Sequence, residues 1–304
     1  MSKFEVNILG CGSALPTSRH YPSSQVLNVK DKLFMIDAGE GAQQQFRRMG
    51  LKFNLLQHIF ISHLHGDHCF GLPGLLSSLS MLGRTGELVI HAYGELENII
   101  RPILDYFCRD MDYQVRINPI SPRKNELIYE DRSVQVFTIP LKHGIPTCGF
   151  LFEEKKRDAH IIRDLIDFYQ VPVKEIAKIK AGSDFVTPDG EIVPNNRLTT
   201  PAAEPKKYAY CSDTGYSEKI IPIIEGVDLL FHEATFMQED LAKAKETFHS
   251  SAGQAAEIAR KASVKKLLIG HYSARYEDIA PLLKEAQNVF PDTVAAYEGM
   301  CISV

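Results

Sequence analysis

The chain has 304 residues, of which 44% are hydrophobic and 24% are charged, a composition typical of a folded soluble protein. This length allows one large domain or two small ones. The formal net charge of −4 argues against a generally basic nucleic-acid-binding protein, although it leaves room for a local basic surface. No apolar run approaches the roughly 18 residues of a membrane span, and the N-terminus lacks the apolar core of a secretory signal.

Short apolar runs, each ending in a polar residue or a glycine turn, predict buried strands along the whole chain. The strand candidates are residues 6–9, 33–36, 59–61, 136–139, 208–210, 229–231 and 267–269. The helical patterns between them cover residues 71–82, 97–108, 217–224, 251–262 and 278–289. Strands dominate the first half and alternate with helices in the second, which predicts an α/β fold with its site at strand ends.

Residues 153–205 break this rhythm and are predicted to form an arm inserted in a single domain that spans residues 1–304. The segment contains five prolines, and one helical pattern covers residues 158–169. Between residues 155 and 180 it has seven lysines and arginines against four aspartates and glutamates. This mild basic excess is compatible with contact to nucleic acid, and a solvated arm without such contact is the alternative.

The most informative motif is His63-Leu64-His65-Gly66-Asp67-His68, an H-x-H-x-D-H pattern directly after a predicted strand. Imidazole and carboxylate groups suit zinc, and a strand end followed by a tight loop can direct several of them to one point. Four such ligands in six positions are too many for one tetrahedral ion with an open coordination position. The motif therefore predicts two ions; a polar loop with incidental histidines is the alternative.

The remaining ligands are expected at the ends of later strands, where His143, Asp213 and His271 occur. One predicted ligand set is His63, His65, His143 and Asp213. The other is Asp67, His68, His271 and the same Asp213, which would bridge the two ions. Two ions about 3.5–4 Å apart can stabilise both the attacking and the leaving oxygen of a phosphoryl displacement. Taken singly, His143 or His271 could instead be a core histidine.

The cysteines are scattered through the chain without a C-x-x-C pair, which indicates reduced thiols in a cytoplasmic protein. Cys69 directly follows the H-x-H-x-D-H motif. It is interpreted as a small buried side chain beside the metal loop, and a thiolate ligand is the alternative.

Together with Asp37 in Asp37-Ala38-Gly39-Glu40-Gly41, these motifs resemble the five motifs of the metallo-β-lactamase superfamily, in order and over nearly the whole chain. The resemblance implies a four-layer αββα sandwich from which the arm projects. It also implies that Asp37 supports the metal loop rather than binding metal. Members of this superfamily hydrolyse lactams, thioesters, lactones and phosphodiesters, so fold and metals do not identify the substrate.

Three later segments are similar to motifs of the ribonuclease Z family in its short form. They are His232-Glu233-Ala234-Thr235, His249-Ser250-Ser251 and Gly270-His271-Tyr272-Ser273-Ala274-Arg275-Tyr276. The insertion also lies where that family has its flexible tRNA-binding arm. The resemblance implies a zinc-dependent endoribonuclease that removes the 3′ trailer of precursor tRNA, leaving a 3′-hydroxyl on the tRNA and a 5′-phosphate on the trailer. It further implies a homodimer and two Zn²⁺ per chain, for which Mn²⁺ or Co²⁺ could substitute.

The same resemblance gives roles to four residues. Asp67 would bind metal and also position or deprotonate the attacking water. His249 would protonate the leaving 3′ oxygen, and Glu233 would orient His249 and keep it basic. Arg275 would present its planar guanidinium to the scissile phosphate. A capping histidine at position 249 and a surface salt bridge at Arg275 are the alternatives.

Local sequence supports an anion site near His249 and also departs from the family in two places. Ser251-Ala252-Gly253-Gln254 has capping-box spacing, so His249 would precede a helix N-terminus, where free amides favour a phosphate. Residues 16–21 lack the lysine and asparagine of the family's first loop, and residues 171–176 replace the Gly-Pro-rich turn of many bacterial arms. These departures concern how tRNA is gripped and how a CCA end is treated.

Three other functions remain to be separated by experiment. A phosphodiesterase for small or cyclic nucleotides would use the same metals without needing an arm. A nucleic-acid-binding protein that has lost catalysis would show a degenerate ligand set, whereas every expected ligand position is filled here. Trimming by a 3′-exonuclease could use the same site and would differ in the lengths of its products.

Overall fold

A computed structural model describes residues 3–304 of the chain and contains, within them, eighteen strands and eleven α-helices. The strands are β1 (Phe4–Gly10), β2 (Ser24–Val29), β3 (Lys32–Ile36), β4 (Leu56–Phe60), β5 (Leu88–Ala92), β6 (Val115–Pro119), β7 (Leu127–Glu130), β8 (Val134–Pro140), β9 (Cys148–Glu154), β10 (His160–Ile161), β11 (Phe185–Val186), β12 (Ile192–Val193), β13 (Thr199–Thr200), β14 (Lys207–Cys211), β15 (Leu229–Glu233), β16 (Leu267–Gly270), β17 (Thr293–Ala295) and β18 (Cys301–Ser303). The helices are α1 (Ala42–Arg48), α2 (Gly66–Cys69), α3 (Leu72–Met81), α4 (Leu96–Phe107), α5 (Arg163–Phe168), α6 (Val173–Lys180), α7 (Asn195–Leu198), α8 (Ile221–Ile224), α9 (Leu241–Glu246), α10 (Ala252–Lys261) and α11 (Ala280–Gln287).

The chain forms two compact units, of which the larger ends at residue 153 and resumes at residue 206. It contains two seven-stranded sheets, with strand orders β18-β1-β2-β3-β4-β5-β6 and β17-β16-β15-β14-β9-β8-β7. Strands β3 to β6 are parallel neighbours, and so are β14 to β17. Parallel neighbours end at the same edge of a sheet, so residues that follow them in sequence are brought together.

The two sheets pack face to face through aromatic side chains that alternate along their strands. Phe34 on β3 and Phe60 on β4 contact Phe152 on β9, with ring centroids 5.9 and 5.3 Å apart. Leu33 and Met35, on either side of Phe34 in β3, point to the opposite face of the sheet and belong to the core under the helices. Burying each such side chain contributes roughly 1.5–3 kcal/mol, so this interface is a major source of stability.

Helices cover the outer face of each sheet. Helices α1, α3 and α4 share a hydrophobic core with the first sheet, and α10 and α11 pack against β15, β16 and β17 of the second. The predicted four-layer αββα arrangement is therefore confirmed. Within residues 3–304, no helix is both long enough and apolar enough to cross a bilayer.

The smaller unit, residues 154–205, has its own core, formed by Ile166, Val171, Ile179, Phe185, Val193 and Leu198. The helix predicted over residues 158–169 is shorter in the structure, because His160–Ile161 pairs with Thr199–Thr200 as a two-stranded ribbon and α5 begins only at Arg163. Helix α6 begins directly after Pro172, whose fixed φ suits a helix start, and the sequence pattern did not predict it.

Candidate metal centre and catalytic residues

The seven predicted metal ligands are brought together at the carboxyl ends of strands from both sheets of the larger unit. The H-x-H-x-D-H loop follows β4, Asp213 lies two residues after β14, and His271 directly follows β16. His143 lies three residues after β8. All seven residues thus follow strand ends, as predicted. The first sheet contributes the H-x-H-x-D-H loop, and the second contributes His143, Asp213 and His271.

His63, His65, His143 and Asp213 form the first donor cluster. Nε2 of His63 lies 3.0 Å from Nδ1 of His65 and 3.7 Å from Oδ2 of Asp213. Nε2 of His143 lies 3.3 Å from the same His65 nitrogen and 3.7 Å from the same Asp213 oxygen. One donor atom from each of the four residues therefore faces a common point.

Asp67, His68 and His271 form the second donor cluster, again with Asp213. Oδ1 of Asp213 lies 3.0 Å from Nε2 of His68 and 3.1 Å from Nε2 of His271. Oδ2 of Asp67 lies 3.5 and 3.7 Å from the same two nitrogens. Asp213 thus directs one carboxylate oxygen to each cluster, which is the geometry of a bridging ligand.

Two imidazole nitrogens show that these donors fit a divalent cation. Nε2 of His68 and Nε2 of His271 are buried, and although Oδ1 of Asp213 lies 3.0 and 3.1 Å away, neither nitrogen makes a well-aligned hydrogen bond among the described residues. A buried polar atom left unpaired costs about 1–3 kcal/mol of stability. Two such atoms side by side therefore indicate that both nitrogens bind a partner that is not part of the chain. Imidazole and carboxylate donors suit zinc, which would supply the missing partner.

Each predicted histidine ligand except His65 directs Nε2 to a cluster and is held in place by a contact of its Nδ1. The contacts of Nδ1 are His68 to Oδ2 of Asp37 at 2.8 Å, His271 to Oγ1 of Thr235 at 2.9 Å, His63 to Oγ of Ser62 at 3.0 Å and His143 to the carbonyl of Phe248 at 3.3 Å. Such contacts fix the tautomer and the ring orientation of a metal ligand. The sequence predicted this role for Asp37 only.

The backbone is strained at the same place. Among residues 3–304, nine non-glycine residues have a positive φ. Five of these lie in or beside the centre: Ala14, Asp37, Asp213, Phe248 and His271, with φ between 50° and 61°. This region of φ is unfavourable for residues with a Cβ, and such residues cluster at functional sites. Here the strained residues are two predicted ligands, Asp213 and His271, and three groups that support predicted ligands.

The charges of the centre are mutually dependent. Burial alone would lower the pKa of His68, but the carboxylates of Asp213 and Asp37 on either side raise it well above its usual value. Burial would raise the pKa of Asp213, but His271 and His68 hold it well below its usual value. The imidazole of His68 and the carboxylates around it therefore stabilise each other's charged forms.

Glu233 and His249 form a hydrogen-bonded pair beside the shared carboxylate. Nδ1 of His249 lies 2.8 Å from Oε1 of Glu233, which is completely buried. Burial disfavours the imidazolium, but the Glu233 carboxylate outweighs it and raises the pKa of His249 to about 9. The His249 ring lies 5.3 Å from the His143 ring and 5.4 Å from the His271 ring. A protonated imidazole next to both clusters can act as a general acid.

A cleft opens over the two clusters, and Asp67 and His249, each partly exposed, line it. Its walls include Leu15, Phe70 and Phe236, so apolar surface surrounds the polar centre. The N–H of Ala14 donates to Oδ2 of Asp67 over 2.8 Å and holds this carboxylate against the second cluster. The supporting roles of Ala14, Ser62, Thr235 and Phe248 were missed in the sequence. Thr235 belongs to the quoted motif of residues 232–235, and Ser62 and Phe248 directly precede quoted motif residues, whereas Ala14 carried no signal.

Arg275 and Cys69 are placed differently from the ligands. Nη1 of Arg275 donates to Oδ1 of Asp240 over 2.8 Å, and its guanidinium lies 5.0 Å above the ring of Phe236. Arg275 is thus near the cleft wall but paired with a carboxylate. Sγ of Cys69 donates to the carbonyl of His65 over 3.2 Å, and burial raises the pKa of this thiol to about 11. Its sulfur is directed to this backbone carbonyl and belongs to neither donor cluster.

The two facing sheets with helices outside them, and a histidine and aspartate centre at the strand ends, define a hydrolase of the metallo-β-lactamase superfamily. Residues 197–272 match the family model of the beta-lactamase superfamily domain, and residues 4–97 match that of the anti-Pycsar protein Apyc1. The proteins named ribonuclease Z from Parabacteroides distasonis and Phocaeicola vulgatus are 64% and 62% identical to this chain over its full length, and the alignments cover 100% and 98% of theirs. The chain therefore belongs to the ribonuclease Z family and is a phosphodiester-cleaving nuclease.

Two solved structures have the same fold as this chain. The crystal structure of human tRNase Z, short form, is similar with a TM-score of 0.71 and 23% sequence identity, and the match covers 99% of both chains. The metallo-β-lactamase fold protein YhfI from Bacillus subtilis is similar with a TM-score of 0.67 and 17% identity, again over 99% of both chains. At these identities the two structures support the architecture alone.

Proposed function

We propose that this chain is the endoribonuclease that removes the 3′ trailer of precursor tRNA. It would leave a 3′-hydroxyl on the tRNA and a 5′-phosphate on the trailer. The observation that carries the proposal is the hydrogen bond of 2.8 Å between Glu233 and His249. This pair lies beside the carboxylate of Asp213, which the two donor clusters share. The full-length relatives named ribonuclease Z support the choice of substrate.

The two clusters are proposed to bind two Zn²⁺ through the residues described above, with Asp213 in common. Bound zinc would supply Lewis-acid stabilisation of the phosphoryl oxygens and a water of lowered pKa. Because all of these donors are nitrogen or oxygen, Mn²⁺ or Co²⁺ could replace zinc. Replacing Asp213 by Ala should lower the metal content by about two ions per chain relative to the wild type, whereas Asp240→Ala, outside the clusters, should keep the wild-type content. Loss of only one ion in Asp213→Ala, with cleavage retained, would refute the shared ligand.

The protein's own groups move the protons of the reaction. A water oxygen attacks the phosphorus, and Asp67 orients this water and accepts a proton from it; its carboxylate is held by the Ala14 N–H. The bond from phosphorus to the 3′ oxygen of the ribose breaks, and that oxygen takes a proton from His249. Glu233 stabilises the charged form of His249 before the transfer. Arg275 is proposed to exchange Asp240 for the scissile phosphate when RNA is bound.

Selection of tRNA is attributed to residues 154–205. Lys156, Arg157, Arg163 and Lys174 are exposed there and would contact the phosphate backbone. The unit has a small core of its own, so it can present these cations on an ordered surface.

A homodimer is proposed for the assembly, and the cytoplasm for the location. Helices α3 and α4 pack on each other and expose the apolar side chains of Met81, Ile99, Tyr106 and Phe107, a surface suited to a second copy. All six cysteines are free thiols, as expected in a reducing compartment. Sedimentation of the purified protein would test the dimer, and a monomer at micromolar concentration would contradict it.

The decisive experiment for the function is incubation of zinc-reconstituted protein with a precursor tRNA that carries a 3′ trailer. A single cut and an intact trailer with a 5′-phosphate are expected, and Asp213→Ala should give none. A ladder of products shortened from the 3′ end would indicate trimming by an exonuclease instead. Hydrolysis of a small chromogenic phosphodiester without cleavage of precursor tRNA would favour the small-molecule phosphodiesterase.

A further inference from the structure

A third group of metal-binding residue types lies in the larger unit, in addition to those at Asp213. Cys11 follows β1, His20 lies in the loop before β2, and Glu298 lies in the connection between β17 and β18. Sγ of Cys11 lies 3.5 Å from Nδ1 of His20 and 3.5 Å from Oε1 of Glu298. Nδ1 of His20 lies 3.1 Å from Oε2 of Glu298. Three segments distant in sequence thus bring a sulfur, a nitrogen and a carboxylate together.

The single proton of the Cys11 thiol accounts for only one of the close contacts that its sulfur makes. The Cys11 thiol has one proton, but its sulfur lies 3.5 Å from each of three possible acceptors: His20 Nδ1, Glu298 Oε1 and the carbonyl of Ala296. At most one of these contacts can be a hydrogen bond donated by the thiol. Glu298 is fixed independently, because its Oε1 accepts from the N–H of Tyr21 over 2.9 Å.

The distances between the donors are close to those of a tetrahedral zinc site. Zinc bonds of about 2.0–2.3 Å at tetrahedral angles place neighbouring nitrogen, oxygen and sulfur ligands roughly 3.3–3.6 Å apart. Sγ of Cys11 lies 3.5 Å from both Nδ1 of His20 and Oε1 of Glu298, and Nδ1 of His20 lies 3.1 Å from Oε2, the other oxygen of the same carboxylate. The Cys11 side chain is buried, whereas His20 and Glu298 keep 18% and 13% of their side chains exposed, which leaves access for a water as fourth ligand.

We propose that Cys11, His20 and Glu298 form a third divalent-metal site of the zinc type, separate from the two donor clusters at Asp213. Binding forms a bond from the metal to sulfur and releases the thiol proton to solvent. The site would fasten the segment of residues 11–20 to the C-terminal turn. This segment includes Ala14, whose N–H holds Asp67, so the third ion would be structural and would support the cleft from outside it.

Cobalt provides a test, because a thiolate bound to Co²⁺ gives a charge-transfer band in the near ultraviolet. The clusters at Asp213 consist of imidazole and carboxylate donors, so they would contribute only the weaker visible bands. Protein stripped with a chelator should be titrated with Co²⁺ and followed by absorption. We expect the thiolate band to appear and to account for one ion per chain beyond the two bound at Asp213.

Variants assign the band to its ligands. Cys11→Ser should abolish it, His20→Asn and Glu298→Gln should weaken cobalt binding at least tenfold, and the matched control Cys69→Ser should retain it. Absence of the band from the saturated wild-type protein would overturn the proposal, even if Cys11→Ser failed to fold. A band that survives in Cys11→Ser, or that is lost in Cys69→Ser, would also overturn it. The absorption readout does not depend on nuclease activity, so this result is separate from that of the proposed function.

Discussion

Nδ1 of His68 lies 2.8 Å from Oδ2 of Asp37, and both side chains are completely inaccessible to solvent. The same carboxylate accepts from the N–H of Ser62 at 2.8 Å and from the hydroxyl of Tyr210 at 2.7 Å. Tyr210 is on the second sheet, so Asp37 ties the metal loop to both sheets. The contact turns Nε2 of His68 toward Asp213.

Replacing Asp37 by Asn should weaken zinc binding about 10–100-fold, because an amide supports the His68 imidazole less well than a carboxylate does. Asn tolerates the positive φ of this position, so the backbone should be unaffected. Competition with a chromophoric chelator would measure the affinity. Tyr210→Phe is the matched control, since it removes one hydrogen bond to the carboxylate and keeps its charge, and it should have a smaller effect. Equal affinities in Asp37→Asn and wild type would contradict the supporting role.

Replacing His249 by Ala should slow the chemical step by about 10²–10⁴-fold, because the leaving oxygen loses its proton donor. Zinc content and tRNA affinity should change little, since His249 is not among the predicted ligands. Single-turnover cleavage of precursor tRNA would measure the step. An emptied metal site in His249→Ala would show that the residue is a ligand instead.

Glu233→Gln should show a smaller loss of the same kind, because Gln retains one oxygen that can accept from Nδ1 of His249. If Glu233 acts only through His249, the double variant should cleave no more slowly than His249→Ala alone. Glu233 also accepts from the N–H of Thr214 over 2.7 Å, so thermal unfolding must be measured alongside. Losses that multiply in the double variant would indicate independent roles.

The pair of Arg275 and Asp240 offers a test of phosphate binding. If Arg275 contacts the scissile phosphate, Arg275→Ala should lower kcat/KM for precursor tRNA by about tenfold or more, as loss of a charge-assisted hydrogen bond does. Asp240→Ala should not lower it, because the guanidinium would become available to the RNA. If the two variants lower kcat/KM equally, Arg275 acts only as a surface salt bridge.

Much of the fold was predictable because its signals are local. Runs such as Leu33–Ile36 are apolar on both faces and end in a polar residue, which indicates a strand buried between helices and a second sheet. The start of α10 at Ala252 carries both hydrogen bonds of a capping box, as the spacing of Ser251 and Gln254 predicted. The ribbon of β10 and β13 had no such signal, because it joins two-residue strands almost forty residues apart.

The positions of the candidate ligands were predictable for a related reason, whereas those of their supports were not. Asp213 and His271 follow apolar runs, so a rule about strand ends finds them. The contacts of Ala14 to Asp67 and of Phe248 to His143 use backbone N–H and carbonyl groups, which any residue provides. The direction of the Arg275 side chain depends on Asp240, a residue of a different segment. These features arise from tertiary structure and leave no local pattern in the sequence.

A half-buried histidine, His58, and a buried one, His91, lie away from the centre and should make the protein sensitive to acid. Nδ1 of His91 lies 2.9 Å from the Asn118 amide nitrogen, and Nε2 of His91 lies 3.1 Å from Nδ1 of His58. Asn118 therefore donates to His91, and His91 donates to His58, with both rings neutral. Burial lowers the pKa of His58 to about 4 and that of His91 to about 3.

The unfolded chain binds protons at these histidines near pH 6.5, whereas the folded chain does not until the pH approaches 4. The free energy of unfolding should therefore be unaffected by them above about pH 6.5 and should fall as the pH drops toward 4. His58→Gln retains an acceptor for His91 but does not titrate. It should reduce the slope of this decline by up to about 1.4 kcal/mol per pH unit in metal-free protein. Urea unfolding from pH 7 to pH 4 would measure both slopes, and identical slopes would contradict a neutral His58.

The core of the smaller unit sets the limits for removing the arm. Leu198 is buried in the core of the smaller unit and Thr199 pairs with Ile161, so a cut near residue 195 would leave part of that unit behind. Strands β9 and β14 are antiparallel neighbours in which Glu153 lies opposite Lys207. A short Gly-Ser-Gly linker in place of residues 155–205 can therefore join the two strands as a hairpin.

This armless variant should keep the metal content of the wild type and its hydrolysis of a small phosphodiester, because the centre lies wholly within the larger unit. Its kcat/KM for precursor tRNA should fall mainly through a higher KM, as loss of uniform binding does. The dependence of tRNA binding on salt should also flatten, since each lost phosphate contact removes roughly 0.7–0.9 from the log–log slope. A matched variant with Lys156, Arg157, Arg163 and Lys174 all changed to Gln keeps the unit folded and should reproduce the flattened slope. If both variants bind tRNA with the wild-type affinity and salt slope, the arm has no role in recognition, and the surface around the cleft selects the substrate.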